Sequence, residues 1–228
     1  MKNKIKSIIL VGALLSISSF SHAMGQKPPT QPEQPTQPTT FKASWEKSVS
    51  SRSAWTQIVR DVVNTKSPAL LRGPGDVSDF CPMYDRLGTQ DRLNFWAEFF
   101  SSVARYESGW SPTSRMIETT MGTDPYTGRQ VASEGLLQLS YQDVQWAPYC
   151  EFDWSVDKKY ADNDARKSIF DPKKNLTCGI QILDRQVAKK GNIALSSGVY
   201  WAVLKINGKY SKLKEIKAST NALSFCKK

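Results

Sequence analysis

The sequence predicts a mainly α-helical domain of the α+β kind that carries one small β-hairpin. Three observations lead there. Leu93, Trp96, Ala97, Phe100, Val103 and Ala104 recur at helical spacing within residues 89–106, and a stripe of that period buries one face of a helix. Trp55, Ile58, Val59, Val62 and Val63 form a second such stripe, and Leu176, Ile180, Leu183 and Val187 a third. Between them, Gly122-Thr123-Asp124-Pro125-Tyr126-Thr127-Gly128 is a turn-rich connection flanked by 116–121 and 129–132, which read as two short strands.

Taken from the N-terminus, Lys2, Lys4 and Lys6 precede a short apolar stretch at 8–20, and Ser21-His22-Ala23 has the small residues of a cleavage site. Residues 1–23 are therefore expected to be a secretory signal peptide, too short in its apolar part to span a bilayer. No Cys follows Ala23, which argues against a lipid anchor. Residues 24–40 form a Pro, Gln and Thr-rich linker in which Pro28, Pro29, Pro32, Pro35 and Pro38 interrupt any regular element. A single domain is expected over 41–228. Within it the Trp55 stripe ends at the breaker Gly73-Pro74-Gly75, and the helix over 89–106 follows. Ser140-Tyr141-Gln142-Asp143 resembles a capping-box start, and Asp171-Pro172 opens a helix that Gly191 stops. Tyr200, Val203 and Leu204 predict a further helix ending at Asn207-Gly208.

Composition narrows the chemistry. The net charge of +10 includes the three leader lysines, so the mature chain carries 28 basic and 21 acidic side chains, a net +7. A cationic exported protein is drawn to anionic polymers such as those of a cell wall. Lys205, Lys209, Lys212, Lys214 and Lys217, mixed with Leu213 and Ile216, read as the wet side of a helix and give no reason to expect nucleic acid. The only histidine, His22, leaves with the leader. Imidazole-dependent nucleophiles and His-containing zinc sites are thereby excluded, and no Gly-rich phosphate loop suggests a nucleotide, so neither cofactor nor metal is expected. Four cysteines in an exported domain imply two disulfides among three possible pairings. The nested one, Cys81 with Cys226 and Cys150 with Cys178, closes the ends of the domain and pins the polar insertion at 151–174.

What remains is acid catalysis by carboxylates. Glu107 continues the stripe of the helix over 89–106, in Tyr106-Glu107-Ser108-Gly109. Burial and the negative end of the helix dipole both disfavour its ionised form, so its pKa should rise and the acid should hold a proton near neutrality. Downstream stand Ser133-Glu134-Gly135-Leu136-Leu137-Gln138-Leu139-Ser140, Asn175-Leu176-Thr177-Cys178-Gly179-Ile180 and Val199-Tyr200-Trp201.

In this order the four motifs resemble the lysozyme superfamily, in particular soluble lytic transglycosylases and goose-type lysozymes, over roughly 81–226. The resemblance implies a lysozyme-like domain acting as a monomer on peptidoglycan strands, in a bacterial secreted or periplasmic setting. It implies cleavage of the β-1,4 bond between N-acetylmuramic acid and N-acetylglucosamine, or its deacetylated form, with Glu107 as acid and base. Ser108, Gln138 and the backbone at Gly135 and Leu136 would position the sugar, and Tyr200 would bond Glu107 or the substrate. Trp201 stands where transglycosylases commonly place Asn, and would narrow the groove or stack on a sugar. Ser140 stands where goose-type lysozymes place an Asp, leaving Glu134, Asp124 and Asp143 as possible second acids, none convincing. With a single acid the expectation is attack by the substrate's own hydroxyl and a 1,6-anhydro product. The rival from another class is a non-catalytic wall-binding protein, which has no need of a buried acid; a chitin-cleaving enzyme would have less reason to be cationic.

Overall fold

A computed structural model describes residues 41–227, so the expected leader and linker lie outside the described residues. The domain is mainly α with a small two-stranded antiparallel sheet. Its helices are α1 (Ser44–Ser48), α2 (Ser53–Lys66), α3 (Pro68–Arg72) and α4 (Thr89–Ser108); β1 (Arg115–Ile117) and β2 (Ala132–Glu134) follow, then α5 (Trp154–Asp157), α6 (Pro172–Lys190) and α7 (Leu213–Asn221).

The axis of the fold is α4. Every residue from Leu93 to Ala104 is buried, so this helix is covered on all sides, by α1, α2, α3 and α7. Its rings pack edge to face: Trp96 meets Phe99 at 5.2 Å and Phe95 at 5.0 Å, and Tyr84 meets Phe95 at 5.1 Å. Each buried ring contributes roughly 1.5–3 kcal/mol from its area alone. The polar ends are satisfied, since Trp96 Nε1 donates to the Leu70 carbonyl and the Tyr84 hydroxyl. One acid is buried on α4. Glu98 accepts from the Ser44 N–H at 2.8 Å, from the Ser44 hydroxyl at 2.6 Å and from the Ser219 hydroxyl, tying α1 and the α7 region to the central helix.

Asp171 caps α6 by accepting from Lys174 N, Pro172 occupies its first turn, and Gly191 ends it at φ 81°. That matches the expected start and stop. Both disulfides form in the nested pattern, Cys81 with Cys226 and Cys150 with Cys178. The insertion carries α5, and buried Asp157 there accepts from the Tyr141 hydroxyl and Ser168 N–H, at 2.8 and 2.7 Å. Among the described residues no helix is long and apolar enough to cross a membrane.

Three expected elements differ. The strands are Arg115–Ile117 and Ala132–Glu134, not 116–121 and 129–132, with Arg115 opposite Glu134. The Asp124 carboxylate accepts from Tyr126 and Thr127 N–H, which closes the turn on itself and leaves only the bridge between Thr123 and Gln130 inside it. The segment after Ser140 is a 3-10 turn, Tyr141–Gln145, rather than a longer helix. The helix expected to end at Asn207-Gly208 is reduced to a 3-10 turn, Ala202–Leu204. Its flanks bond outward instead, Ile206 N–H to the Leu195 carbonyl and Lys212 N–H to that of Val203.

The Cys81–Cys226 bridge spans 145 positions, so its loss frees a long loop in the unfolded chain. Replacing both cysteines by Ala should cost about 2–5 kcal/mol in denaturant unfolding, against a smaller loss for the Cys150–Cys178 pair. Equal losses would show that loop length does not govern the difference.

Candidate active site

Glu107 sits in the last turn of α4, and the way that helix ends fixes its position. Gly109 adopts φ 59°, a left-handed conformation that a side chain would oppose, and its N–H with that of Trp110 returns to the carbonyls of Arg105 and Ala104. Trp110 Nε1 then donates to the Ser101 carbonyl at 2.8 Å and locks the turn. The Ser108 hydroxyl donates back to the Ala104 carbonyl at 3.0 Å, so Ser108 finishes the helix. The Glu107 side chain is half-buried, and among the described residues no hydrogen bond or ion pair reaches its carboxylate. Burial first, and the charge of Glu118 second, push its pKa from the ordinary 4.5 to about 7.

Glu118 was not among the residues singled out from the sequence. It follows β1, its N–H donates to the Val131 carbonyl at 2.9 Å, and its Oε1 accepts from the Ser133 hydroxyl at 2.5 Å. The hairpin thus holds a second carboxylate within electrostatic reach of the first. In sequence it lies inside a strand-like run, where alternation gives an acid no distinguishing mark.

The segment Gly135 to Leu139 is locked from below by α6. Asn175 accepts from Leu137 N–H at 2.8 Å and donates to the carbonyls of Glu134 and Ile169 at 3.1 and 3.0 Å. Gly135 has φ 82°, and a Cβ there would meet the Asn175 amide at 2.2 Å. Gly179 is equally forced, since a Cβ there would stand 2.5 Å from the Leu137 side chain.

No family model matches this chain, and no curated protein does. Among solved structures, the wild-type form of Bd0314 DslA is similar with a TM-score of 0.67 and 32% identity, over 82% of this chain and 98% of that one. Two Glu-to-Gln mutants of Bd0314 DslA match at TM-scores of 0.66 and 0.65, with 32% and 31% identity, each over 81% of this chain and 97% of the other. The chain belongs to the DslA family. The glutamates replaced in those two DslA mutants stand eleven positions apart, the separation of Glu107 and Glu118 here.

Against this DslA-family framework the other candidates take definite places. Glu134 is buried between Lys167 Nζ at 2.7 Å and Arg115 Nε at 3.2 Å, so its charge holds β1 to the insertion. Asp124 is spent on its own turn. Asp143 accepts from Ser140 N–H at 2.8 Å and from the Tyr200 hydroxyl; burial raises its pKa to about 6 against those bonds. None of the three is a free carboxylate. Tyr200 does not hydrogen-bond Glu107, since its hydroxyl goes to Asp143. Burial and then Asp143 raise its pKa, and the Glu107 charge adds in the same direction. Trp201, expected to shape the groove, is buried and donates to the Leu137 carbonyl at 2.7 Å, so it braces the loop from inside. Leu136 is fully buried in the core. Gln138, at φ 48°, turns its amide onto the carbonyls of Gly135 and Ser114 and supports the loop internally.

A carboxyl whose pKa is raised by folding imposes no cost below 4.5, where it is neutral in both states, and its full cost above about 7, where it must ionise in the fold. Glu107→Gln removes that cost. Relative to wild type, the variant should gain up to about 3 kcal/mol between pH 4 and pH 8. Thermal melts across that range check this, and a pH-independent difference would mean that Glu107 is not perturbed.

Proposed function

We propose that this protein is a peptidoglycan-cleaving glycosidase of the lysozyme superfamily, with Glu107 as the acid that protonates the glycosidic oxygen between muramic acid and glucosamine units. The observation that carries this reading is an unpartnered, half-buried carboxyl at a helix end, with its pKa lifted to about 7. Such a group keeps its proton near neutrality and is still acidic enough to give it up, which general acid catalysis requires. The four sequence motifs, the mature net charge and the pair of glutamates at DslA spacing support it. The two disulfides fit an oxidising compartment outside the cytoplasm, as export by the expected leader would provide.

Glu118 changes the expected product. The 1,6-anhydro route followed from the want of a second acid, and Glu118 now supplies one on the hairpin, held there by the Ser133 hydroxyl. A carboxylate so placed can act as base for a water or stabilise the developing positive charge on the sugar. Hydrolysis to a reducing end is therefore the favoured reaction.

The test is incubation with purified peptidoglycan sacculi in heavy-oxygen water, read by mass spectrometry. Wild type should release fragments carrying one solvent-derived oxygen, and kcat/KM should fall as pH rises through about 7 and the acid loses its proton. Glu107→Gln and Glu118→Gln should each lower kcat by at least ~10²-fold while the chain stays folded. Anhydro ends without label would remove Glu118 from the chemistry, and full activity of Glu107→Gln would remove the central assignment.

A further inference from the structure

Behind the Tyr200 ring lies a cavity of about 300 Å³ that the chemistry above does not use. Its walls include Trp146, Val199 and Tyr200 on one side and Arg185, Lys189 and Lys190 of α6 on the other, with no acidic side chain among its lining residues. The volume is at the lower end of ligand pockets. The frame is built. Arg185 lies over the Trp146 ring at 5.5 Å and donates to its carbonyl at 2.7 Å, while Lys190 Nζ donates to the Gly198 carbonyl at 2.8 Å and fastens the Tyr200 segment to the end of α6. Trp146 and Tyr200 face each other at 6.3 Å. Lys189 is exposed and has no hydrogen bond or ion pair among the described residues.

Three cations and two aromatic rings around one small space suit a ligand that is anionic and carries short apolar groups. Tyr200 is a wall of this cavity, and its hydroxyl is bonded to Asp143, which also holds Ser140 N–H, so the cavity adjoins the end of the Gly135 to Ser140 segment of the candidate site. On a peptidoglycan strand the anionic, methyl-bearing branch is the peptide stem, carried by the muramic acid itself. We propose that the cavity is a subsite for the carboxylate-bearing peptide stem of the strand being cut. This rests on the function proposed above. The stem carboxylate meets Lys189 and the Arg185 guanidinium, and its alanyl methyls rest on Trp146 and Val199.

Two substrates separate the possibilities: intact sacculi, and the same glycan freed of stems by an amidase with the lactyl carboxylates so exposed blocked as methylamides. Lys189→Glu should raise KM on stem-bearing strands about three- to tenfold, since reversing one exposed charge removes an attraction and adds a repulsion of similar size. On stem-free strands it should leave KM within about twofold, and kcat should hold on both. Lys214→Glu, an exposed lysine on α7, is the control for general attraction to the wall and should change neither. Equal effects on both substrates, or equal effects of the two variants, would overturn the subsite. Titration calorimetry with a free stem tripeptide tests it without cleavage: binding by wild type that Lys189→Glu abolishes supports the subsite even if no strand is cut, and absence of binding together with no substrate difference overturns it.

Discussion

The Asn175 side-chain amide is the contact on which the rest of the site depends. Standing on the first turns of α6, it uses its oxygen for Leu137 N–H and its nitrogen for the carbonyls of Glu134 and Ile169, so one buried group fixes three backbone positions on two segments. Its closeness is possible because Gly135 has no Cβ. From there the order propagates. Glu134, held by its backbone, aims its carboxylate at Arg115 and Lys167, which sets β1 and so the residue that follows it, Glu118. On the other side the same loop leads into Ser140 and Asp143, and Asp143 takes the Tyr200 hydroxyl.

The arrangement of acids sets one of them apart. Glu98 is buried with three donors, Glu134 with two cations, Asp157 with a tyrosine, a serine hydroxyl and a backbone N–H, and Asp143 with Tyr200 and a backbone N–H. Each has its charge or its proton accounted for by neighbours, as buried polar groups must. Glu107 alone among these receives nothing from the described residues, and its neighbour Glu118 makes ionisation harder still. An unsatisfied group of this kind costs stability, and acids perturbed in this way cluster at functional sites.

Much of this was legible in the sequence where local rules decide. The α4 stripe, the Asp171-Pro172 start and Gly191 stop of α6 and the nested disulfides all follow from spacing, capping and compartment. The raised pKa of Glu107 was legible as well, since burial acts on it locally, whereas the second cause, Glu118, was not. Residues whose role depends on a distant partner were not. Trp201 and Gln138 look like groove residues until the structure turns them onto the Leu137 and Gly135 carbonyls. Tyr200 meets Asp143, not Glu107, because the 3-10 turn brings Asp143 beneath it. Glu118 was hidden for the same reason, since only the register that pairs Arg115 with Glu134 brings the end of β1 towards the end of α4.

The central claim is that folding keeps Glu107 protonated near neutrality. It is tested most directly by titrating the side-chain carboxyl resonances in a carbon-13 NMR experiment, with the Glu107 signal assigned by its absence from Glu107→Gln. The account predicts a midpoint near 7 that moves down in Glu118→Gln, where the second charge is gone. A midpoint at the ordinary 4.5, unmoved by that substitution, would contradict it.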